Sequence, residues 1–186
     1  VDINSLQAAD YQLGIFGFKT YVYAPGRSRI LVYLYDAENG NLLSILEASR
    51  LSQLRTGAAT GIATRYMARE NASVVGILGS GYQARTQLEA VCKVRSINHA
   101  IVYSPTTDHR NSYAKEMSHN LGIKVTPVKS PRSAVEDTDI LLVITSSQTP
   151  VFQGDWLSVG THVAAAGGAG IYVREFDEST LRRCDI

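Results

Sequence analysis

An apolar run that passes straight into a glycine-rich turn constrains the fold of this chain more than any other feature. Residues 74–78 are Val-Val-Gly-Ile-Leu, and the six that follow, 79–84, have the form G-x-G-x-x-A. Residues 85–91 are typical of a helix. A strand, a glycine turn and a helix in this order predict a dinucleotide-binding βα unit. The alternative is a βα turn that uses its glycines for geometry alone.

Each small residue of this turn has a predicted task. Gly79 makes the tight turn, Gly81 lets the backbone approach a pyrophosphate, and Ala84 lets the helix pack closely on the strand. The pyrophosphate would lie at the helix N-terminus, where unpaired N–H groups and the helix dipole favour an anion.

From about residue 72 onwards, apolar runs alternate with helical stretches. Strands are expected at 74–78, 100–103, 124–128, 140–145 and 161–166, and helices at 82–94, 108–120 and, briefly, near 132–137. This alternation predicts a doubly wound parallel α/β sheet with both faces covered. A sheet of this type has a sixth strand, so we expect the natural chain to continue beyond residue 186. Because the sequence begins at Val1 rather than Met, we expect it to start earlier as well.

The first 54 residues lack this alternation and are expected to contain irregular structure and antiparallel strands. Asn39-Gly40 lies between the apolar runs 31–35 and 42–46 and predicts a β-hairpin. A stretch rich in Ala and Thr, from Arg55 to about Glu70, predicts a helix that bridges the two regions.

Composition excludes several functional classes. The net charge of +1 gives no electrostatic reason to expect nucleic acid or an acidic membrane surface as a partner. No apolar run is as long as a transmembrane helix. Cys92 and Cys184 have no metal-binding spacing. We therefore expect no metal and a cytoplasmic location, with both cysteines as free thiols.

The end of the second predicted strand bears on the form of the cofactor. An acid that binds the ribose of NAD is expected there, but residues 99–107 contain none, and Asp108 suits a helix N-cap. Ser104, Thr106, His109 and Arg110 can instead accept a 2′-phosphate, which favours NADP(H) over NAD(H). The alternative for Arg110 is a solvated helix residue.

Two further strand ends are expected near the cofactor, because ligands of open α/β sheets bind beyond the carboxyl ends of the strands. Thr145 and Ser146 follow the fourth strand, although an ordinary polar loop is equally consistent with them. The small residues at 164–170 indicate that a flat group, such as a nicotinamide ring, approaches the backbone; simple flexibility is the alternative.

Two cations in the first region are candidate anion ligands. Lys19 lies in a β-like stretch and, taken alone, is an ordinary surface lysine. Arg55 is expected at a helix start, where a cation opposes the helix dipole. This mismatch indicates a nearby anion, and a guanidinium binds a carboxylate bidentately.

Taken together, these elements resemble the ornithine cyclodeaminase/mu-crystallin family over nearly the whole chain. The elements that carry the resemblance are Lys19, the Asn39-Gly40 hairpin, Arg55-Thr56-Gly57-Ala58-Ala59, Gly79-Ser80-Gly81-Tyr82-Gln83-Ala84-Arg85, Pro150-Val151-Phe152, Trp156-Leu157, Gly160-Thr161-His162 and Arg174-Glu175-Phe176-Asp177. The resemblance implies a partial substrate and dimerisation domain at 1–69, a Rossmann-type NAD(P)-binding domain at 70–186, and a homodimer.

The resemblance also implies an activity and residue roles. Family members transfer hydride between a nicotinamide and the α-carbon of a small imine, keto acid or amino acid. Arg55 would hold the substrate carboxylate, and Lys19 would contact the same carboxylate or handle protons at the imine nitrogen. The implied cofactor contacts are Thr56, Ser80, Tyr82 and Gln83 for the phosphates, Ser104 to Thr106 for the adenosine ribose, and Thr145 and Ala166 for the nicotinamide side.

One departure from the family pattern separates the possible activities. Cyclodeaminases carry G-G-D after the fifth strand, whereas this chain has Gly167-Gly168-Ala169. Because alanine neither anchors an amino group nor activates water, this argues against a cyclodeaminase-type lyase and leaves reductase or dehydrogenase chemistry. A nucleotide-binding, crystallin-like protein without turnover is the other alternative. We expect the 186 residues alone to lack turnover.

Overall fold

The computed structural model describes residues 2–24, 27–167 and 174–185. The chain forms two compact units, residues 1–55 and 56–186. The functional assignment of domains 1–69 and 70–186 stays a prediction.

The first unit is built on a four-stranded antiparallel sheet. Its strands are β1 (Asp2–Asp10), β2 (Ile15–Ala24), β3 (Arg27–Asp36) and β4 (Leu42–Glu47), paired in chain order. The predicted hairpin is confirmed, since Asn39-Gly40 connects β3 to β4 and Gly40 has a φ of +74°. β1 and β2 occupy residues where both irregular structure and strands were expected, and β2 contains the β-like stretch around Lys19.

Side chains alternate in direction along β2, so phenylalanines lie on one face of this sheet and Lys19 lies on the other. Phe16 and Phe18 lie on one face and stack against Tyr33 and Tyr35 of β3, with ring centroids 4.6–5.9 Å apart. Lys19 and Tyr21 lie on the opposite face, because successive residues of a strand point to opposite sides.

The first helix, α1 (Ser49–Met67), begins six residues before the predicted start at Arg55. Residues 50–54 are mostly good helix formers, which explains the early start. Arg55 therefore lies in the second turn. Arg55 does not oppose the helix dipole as predicted, because that effect fades beyond the first turn.

The second unit contains a five-stranded parallel sheet with helices, as predicted. The strands β5 (Val74–Leu78), β6 (His99–Tyr103), β7 (Lys124–Pro127), β8 (Ile140–Val143) and β9 (His162–Ala165) lie in the order β7-β6-β5-β8-β9. The helices are α2 (Tyr82–Val94), α3 (Thr107–Leu121) and α4 (Glu178–Arg183). Predicted strand and helix ends agree to within two residues, except that the short helix near 132–137 is a 3₁₀ turn at Arg132–Ala134.

Both faces of the parallel sheet are covered, as expected of a doubly wound fold. Val75 and Ile77 of β5 contribute to one buried cluster with residues of α2 and α3. Leu78 belongs to a second cluster that contains Leu141 and Phe152. The two clusters pack on opposite faces of β5, and this packing positions the turn that follows the strand.

Across the residues that the structure describes, no helix combines the length and apolar character needed to cross a membrane.

Candidate cofactor cleft and carboxylate site

A cleft of about 430 Å³ opens at the carboxyl ends of three strands of the parallel sheet. The strand order reverses between β5 and β8, and such a reversal is where open α/β sheets bind ligands. The candidate residues that line the cleft are Gly79, Ser80, Gly81, Ser104, Thr106, His109, Thr145 and Ser146. The structure thus brings together residues that are up to 67 positions apart in the sequence.

The two glycines of the turn occupy different environments. Gly79 has a φ of +102°, and a Cβ there would overlap the carbonyl oxygen of Ile144. Gly81 has an extended backbone, and a Cβ there would meet no atom within 4 Å. Gly79 is therefore required by the protein's own packing. Gly81 instead leaves open space, as the predicted approach of a pyrophosphate requires.

The start of α2 suits an anion. Gly81 occupies its N-cap position without a side-chain cap, and its first turn contains no acidic residue. Tyr82 is exposed, whereas the buried Gln83 Oε1 has no hydrogen-bond partner within the described part of the chain. The N–H groups at a helix N-terminus bind phosphate readily. The geometry therefore fits the pyrophosphate of a dinucleotide.

Arg85 holds the glycine turn in place, a task that the sequence did not reveal. Its guanidinium donates to the Gly81 carbonyl at 2.9 Å and, through two nitrogen atoms, to Glu116 of α3 at 2.7 and 2.8 Å. The bond to Glu116 raises the pKa of Arg85, and the same bond lowers the pKa of Glu116. The only sequence signal was the position of this arginine directly after the G-x-G-x-Q-A motif.

The loop after β6 is closed by Arg110. This side chain is 9% exposed and donates from Nη1 to the carbonyls of Ser104 and Pro105 at 2.9 and 3.2 Å. The alternative of a solvated helix residue is wrong. The hydroxyl of Ser104 accepts from Ser80 at 2.9 Å and thereby links the two strand ends. Among the described residues that line the cleft, none is Asp or Glu.

Glu175 organises the far end of the cleft. Its carboxylate accepts from the Thr145 backbone N–H at 2.6 Å and from the Thr145 hydroxyl at 2.7 Å. A Cβ on Gly167 would overlap this carboxylate. Sequence reasoning assigned Glu175 only to a family motif, and no spacing rule connects it with Thr145.

Five of the predicted cofactor contacts are outside the set of cleft-lining residues, namely Thr56, Tyr82, Gln83, Arg110 and Ala166. Thr56 lies on α1, next to Gly57. Gly57 packs closely against Thr86, since a Cβ at Gly57 would be 2.6 Å from the Thr86 carbonyl oxygen. Arg110 supports the loop as described above. Ala166 continues the sheet, donating its N–H to the Val143 carbonyl at 2.9 Å. Ala169, the position of the family aspartate, is outside the described residues.

The two predicted substrate cations lie in the first unit. Lys19 Nζ is 4.8 Å from the centroid of the Tyr21 ring, and the positive charges of Lys19 and Arg55 both act on the Tyr21 hydroxyl. Burial raises the pKa of Tyr21. The hydrogen bonds from Lys19 and Ser52, together with the positive charges of Lys19 and Arg55, outweigh burial and lower this pKa below 10.0.

Within the described ranges, no group of His, Cys, Asp and Glu side chains is arranged to hold a metal ion, and both cysteines are free thiols.

Comparison with known proteins identifies the relatives of the chain. The model of the ornithine cyclodeaminase/mu-crystallin family matches residues 11–186. A Delta(1)-pyrroline-2-carboxylate reductase from Bacillus cereus is 39% identical over 155 residues, which are 83% of this chain and 47% of that protein. The chain therefore spans about half the length of the curated relatives it matches.

Two solved structures have the same fold. The Delta(1)-pyrroline-2-carboxylate reductase of Thermococcus litoralis, in complex with NADH and L-proline, has a TM-score of 0.84 and 35% identity, covering 96% of this chain and 62% of that one. An archaeal alanine dehydrogenase dimer with bound NAD has a TM-score of 0.85 and 29% identity, covering 96% and 60% respectively.

Proposed function

The chain belongs to the ornithine cyclodeaminase/mu-crystallin family, and from that premise we propose that it is part of an NAD(P)-dependent oxidoreductase. The reaction is hydride transfer to or from the α-carbon of a small imine, keto acid or amino acid. The observation that carries this proposal is the open space at Gly81, in front of the uncapped start of α2. The similar reductase with NADH and L-proline, and the alanine dehydrogenase with NAD, support it.

The bound nicotinamide supplies the redox chemistry, and the protein supplies binding and orientation. Ser80, Tyr82 and Gln83, at the turn and the start of α2, would hold the phosphates together with Thr56. Ser104 and Thr106 would contact the adenosine ribose. Thr145 and Ala166, which follow β8 and β9, would lie on the nicotinamide side. Arg85 and Glu175 would keep the two ends of this cleft in shape through the bonds described above.

We propose NADP(H) as the preferred form. The residues after β6 that line the cleft offer hydroxyl groups and His109 rather than a carboxylate. A carboxylate at this place selects the free 2′-hydroxyl of NAD. Nη1 of Arg110 donates to the loop carbonyls, so the other nitrogen atoms of this guanidinium would contact a 2′-phosphate.

Arg55 and Lys19 would bind the carboxylate of the substrate. The positive charges of a guanidinium and an ammonium both act on Tyr21, and two such charges favour an anion. Lys19 would also hold or move a proton at the imine nitrogen.

We propose a second copy of this chain as the macromolecular partner. Among the described residues of the first unit, only Ala48, Ser52 and Gln53 are buried. Apolar side chains such as Ile3 and Ile45 are more than half exposed, and such surfaces usually mark interfaces. The cytoplasmic location stays a prediction.

Titration and turnover of the whole natural protein test the proposal. Calorimetric titration should show binding of NADPH tighter than that of NADH. Oxidation of the cofactor should accompany reduction of a cyclic ketimine or keto acid. Ammonia release without net cofactor consumption would instead identify a lyase, and binding without turnover a non-catalytic protein.

A further inference from the structure

The Glu175 side chain lies between the ends of β8 and β9, at the far end of the cofactor cleft. Its backbone carbonyl accepts from the Val151 N–H at 2.8 Å, which fixes the residue beside the buried Phe152. Glu175 is 6% exposed, and its carboxylate bonds to Thr145 and contacts Gly167, where a Cβ would overlap both carboxylate oxygens. Thr145 itself lines the cleft. A ligand in the cleft would therefore feel Glu175 through Thr145.

The hydrogen-bonding capacity of three groups fixes the direction of the Thr145 hydroxyl. A carboxylate has acceptors only, so Thr145 donates its backbone N–H at 2.6 Å and its hydroxyl proton at 2.7 Å to the same oxygen of Glu175. The Ser147 backbone N–H donates to the Thr145 hydroxyl oxygen at 3.1 Å and occupies one of its two lone pairs. Within the described part of the chain, these bonds leave the Thr145 oxygen one lone pair and no proton for a ligand.

The methyl group of Thr145 is held as well. A Cβ at Gly79 would be 3.4 Å from this methyl carbon, so the methyl group lies beside the tight turn after β5. Threonine is β-branched, and two heavy atoms on its Cβ restrict the rotation of the side chain. Contacts of the methyl group and of the hydroxyl therefore agree on one orientation of Thr145.

We propose that Glu175 is a positioning residue of the cofactor cleft, which turns the Thr145 hydroxyl proton away from the ligand and presents the oxygen as an acceptor. The group bound there is a hydrogen-bond donor on the nicotinamide half of the cofactor, either a carboxamide N–H or a ribose hydroxyl. The inference rests on the proposed function and deepens it, because it names the kind of group that this end of the cleft selects. Glu175 acts through Thr145 and need not touch the cofactor.

Calorimetric titration of the whole natural protein with NADPH tests the link between the two residues. Thr145→Val keeps the branched shape without the hydroxyl and should raise Kd about five- to tenfold, the effect of one lost hydrogen bond. Glu175→Met should have a similar effect, because the freed hydroxyl turns its proton toward the cleft. Because both changes remove one interaction, the double variant should bind no more weakly than Thr145→Val alone. Glu178→Met, at an exposed position on α4, is the control and should change nothing.

Two further variants separate positioning from a general loss of structure. Glu175→Gln keeps an oxygen that accepts both bonds and should leave the Kd for NADPH within about twofold of that of the unmodified protein. Gly167→Ala should weaken binding as Glu175→Met does, because its Cβ takes the place of the carboxylate. This variant also tests the proposal if Glu175→Met does not fold. Additive effects of Thr145→Val and Glu175→Met, or a Glu175→Gln variant as weak as Glu175→Met, would overturn the proposal.

The 3-acetylpyridine analogue of NADP⁺, in which a methyl ketone replaces the carboxamide, identifies the donor. If the carboxamide is the donor, the unmodified protein should bind this analogue about tenfold less tightly than NADP⁺, and Thr145→Val should bind the two alike. If the unmodified protein binds both alike and both more tightly than Thr145→Val does, the donor is a ribose hydroxyl. Unchanged NADPH affinity in Thr145→Val would overturn the inference alone. An unmodified protein that binds no nicotinamide nucleotide would instead overturn the proposed function.

Discussion

The second unit of the chain would present mainly backbone to its ligand, whereas the first unit would present charged side chains. In the second unit, an extended Gly81 without a side-chain cap begins α2 beside the cleft and leaves open space in front of the helix backbone. In the first unit, Lys19 of β2 lies over the Tyr21 ring, and Arg55 of α1 adds a second positive charge that acts on the Tyr21 hydroxyl. The two kinds of site therefore respond to different substitutions.

The difference extends to how each site is supported. Two buried clusters enclose the parallel sheet of the second unit, so its cleft depends on close packing at positions such as Gly79, whereas Gly81 faces open space. The first unit buries few side chains among its described residues, and its candidate site depends on the charges of Lys19 and Arg55. In the second unit, some substitutions should therefore change stability alone and others nucleotide binding alone. The two glycines of the turn test this expectation.

The largest effects are expected at the two glycines of the turn. Gly79→Val should destabilise the fold by about 2–4 kcal/mol, because a positive φ strains the new residue and its Cβ overlaps the Ile144 carbonyl. Gly81→Val should fold normally but bind no NAD(P)H, because its side chain fills the open space that a pyrophosphate needs. Urea unfolding and calorimetric titration measure the two effects. A folded Gly81→Val with unchanged affinity would remove the basis of the proposed function.

Arg55→Lys should affect the other site and spare the cleft. Replacing the planar guanidinium loses bidentate carboxylate binding. We expect a loss of about 2–5 kcal/mol in transition-state binding, measured as kcat/KM for a carboxylate substrate, with little change in nucleotide affinity. Arg50→Lys, an exposed position on the same helix, is the control. A kcat/KM within a few-fold of the unmodified protein would contradict the assignment.

The contrast between the two units also explains what the sequence predicted well. The parallel sheet and the glycine turn follow from local patterns, and β5 and α2 match their predicted ends. The contacts of Arg85 and Glu175 join residues from separate elements, so no local pattern contains them. The start of α1 was placed too late because the Ala-rich segment was a stronger helix signal than residues 49–54. The roles of the candidate site residues stay predictions.

Ser104→Asp should change the cofactor preference without changing the fold. Ser104 lies at the end of β6, bonded to Ser80, and a carboxylate there would repel a 2′-phosphate and accept from a 2′-hydroxyl. We expect the ratio of NADPH to NADH affinity to fall by at least about tenfold. Ser104→Asn is the control, because asparagine has nearly the same shape as aspartate but carries no charge. An unmodified protein that already prefers NADH would reject the NADP(H) proposal.

The smallest effect concerns stability at mildly acidic pH and belongs to the second unit. His162 of β9 is 8% exposed, and its Nε2 has no hydrogen-bond partner in the part of the chain that the structure describes. Burial, followed by the charge of Arg95, lowers its pKa below 6.5. The unfolded chain therefore binds more protons than the folded chain as the pH falls below 6.5, and stability should decrease there until the folded-state pKa is passed. Urea unfolding at several pH values should show this decrease in the natural protein and a smaller one in His162→Gln. Burial raises the pKa of Asp177, but hydrogen bonds from Thr180, Ser179 and Gly154 outweigh burial and hold this pKa at about 2. Asp177 should therefore contribute to the loss of stability only below about pH 4. An identical loss of stability in His162→Gln between neutral pH and pH 5 would show that His162 is not the group responsible.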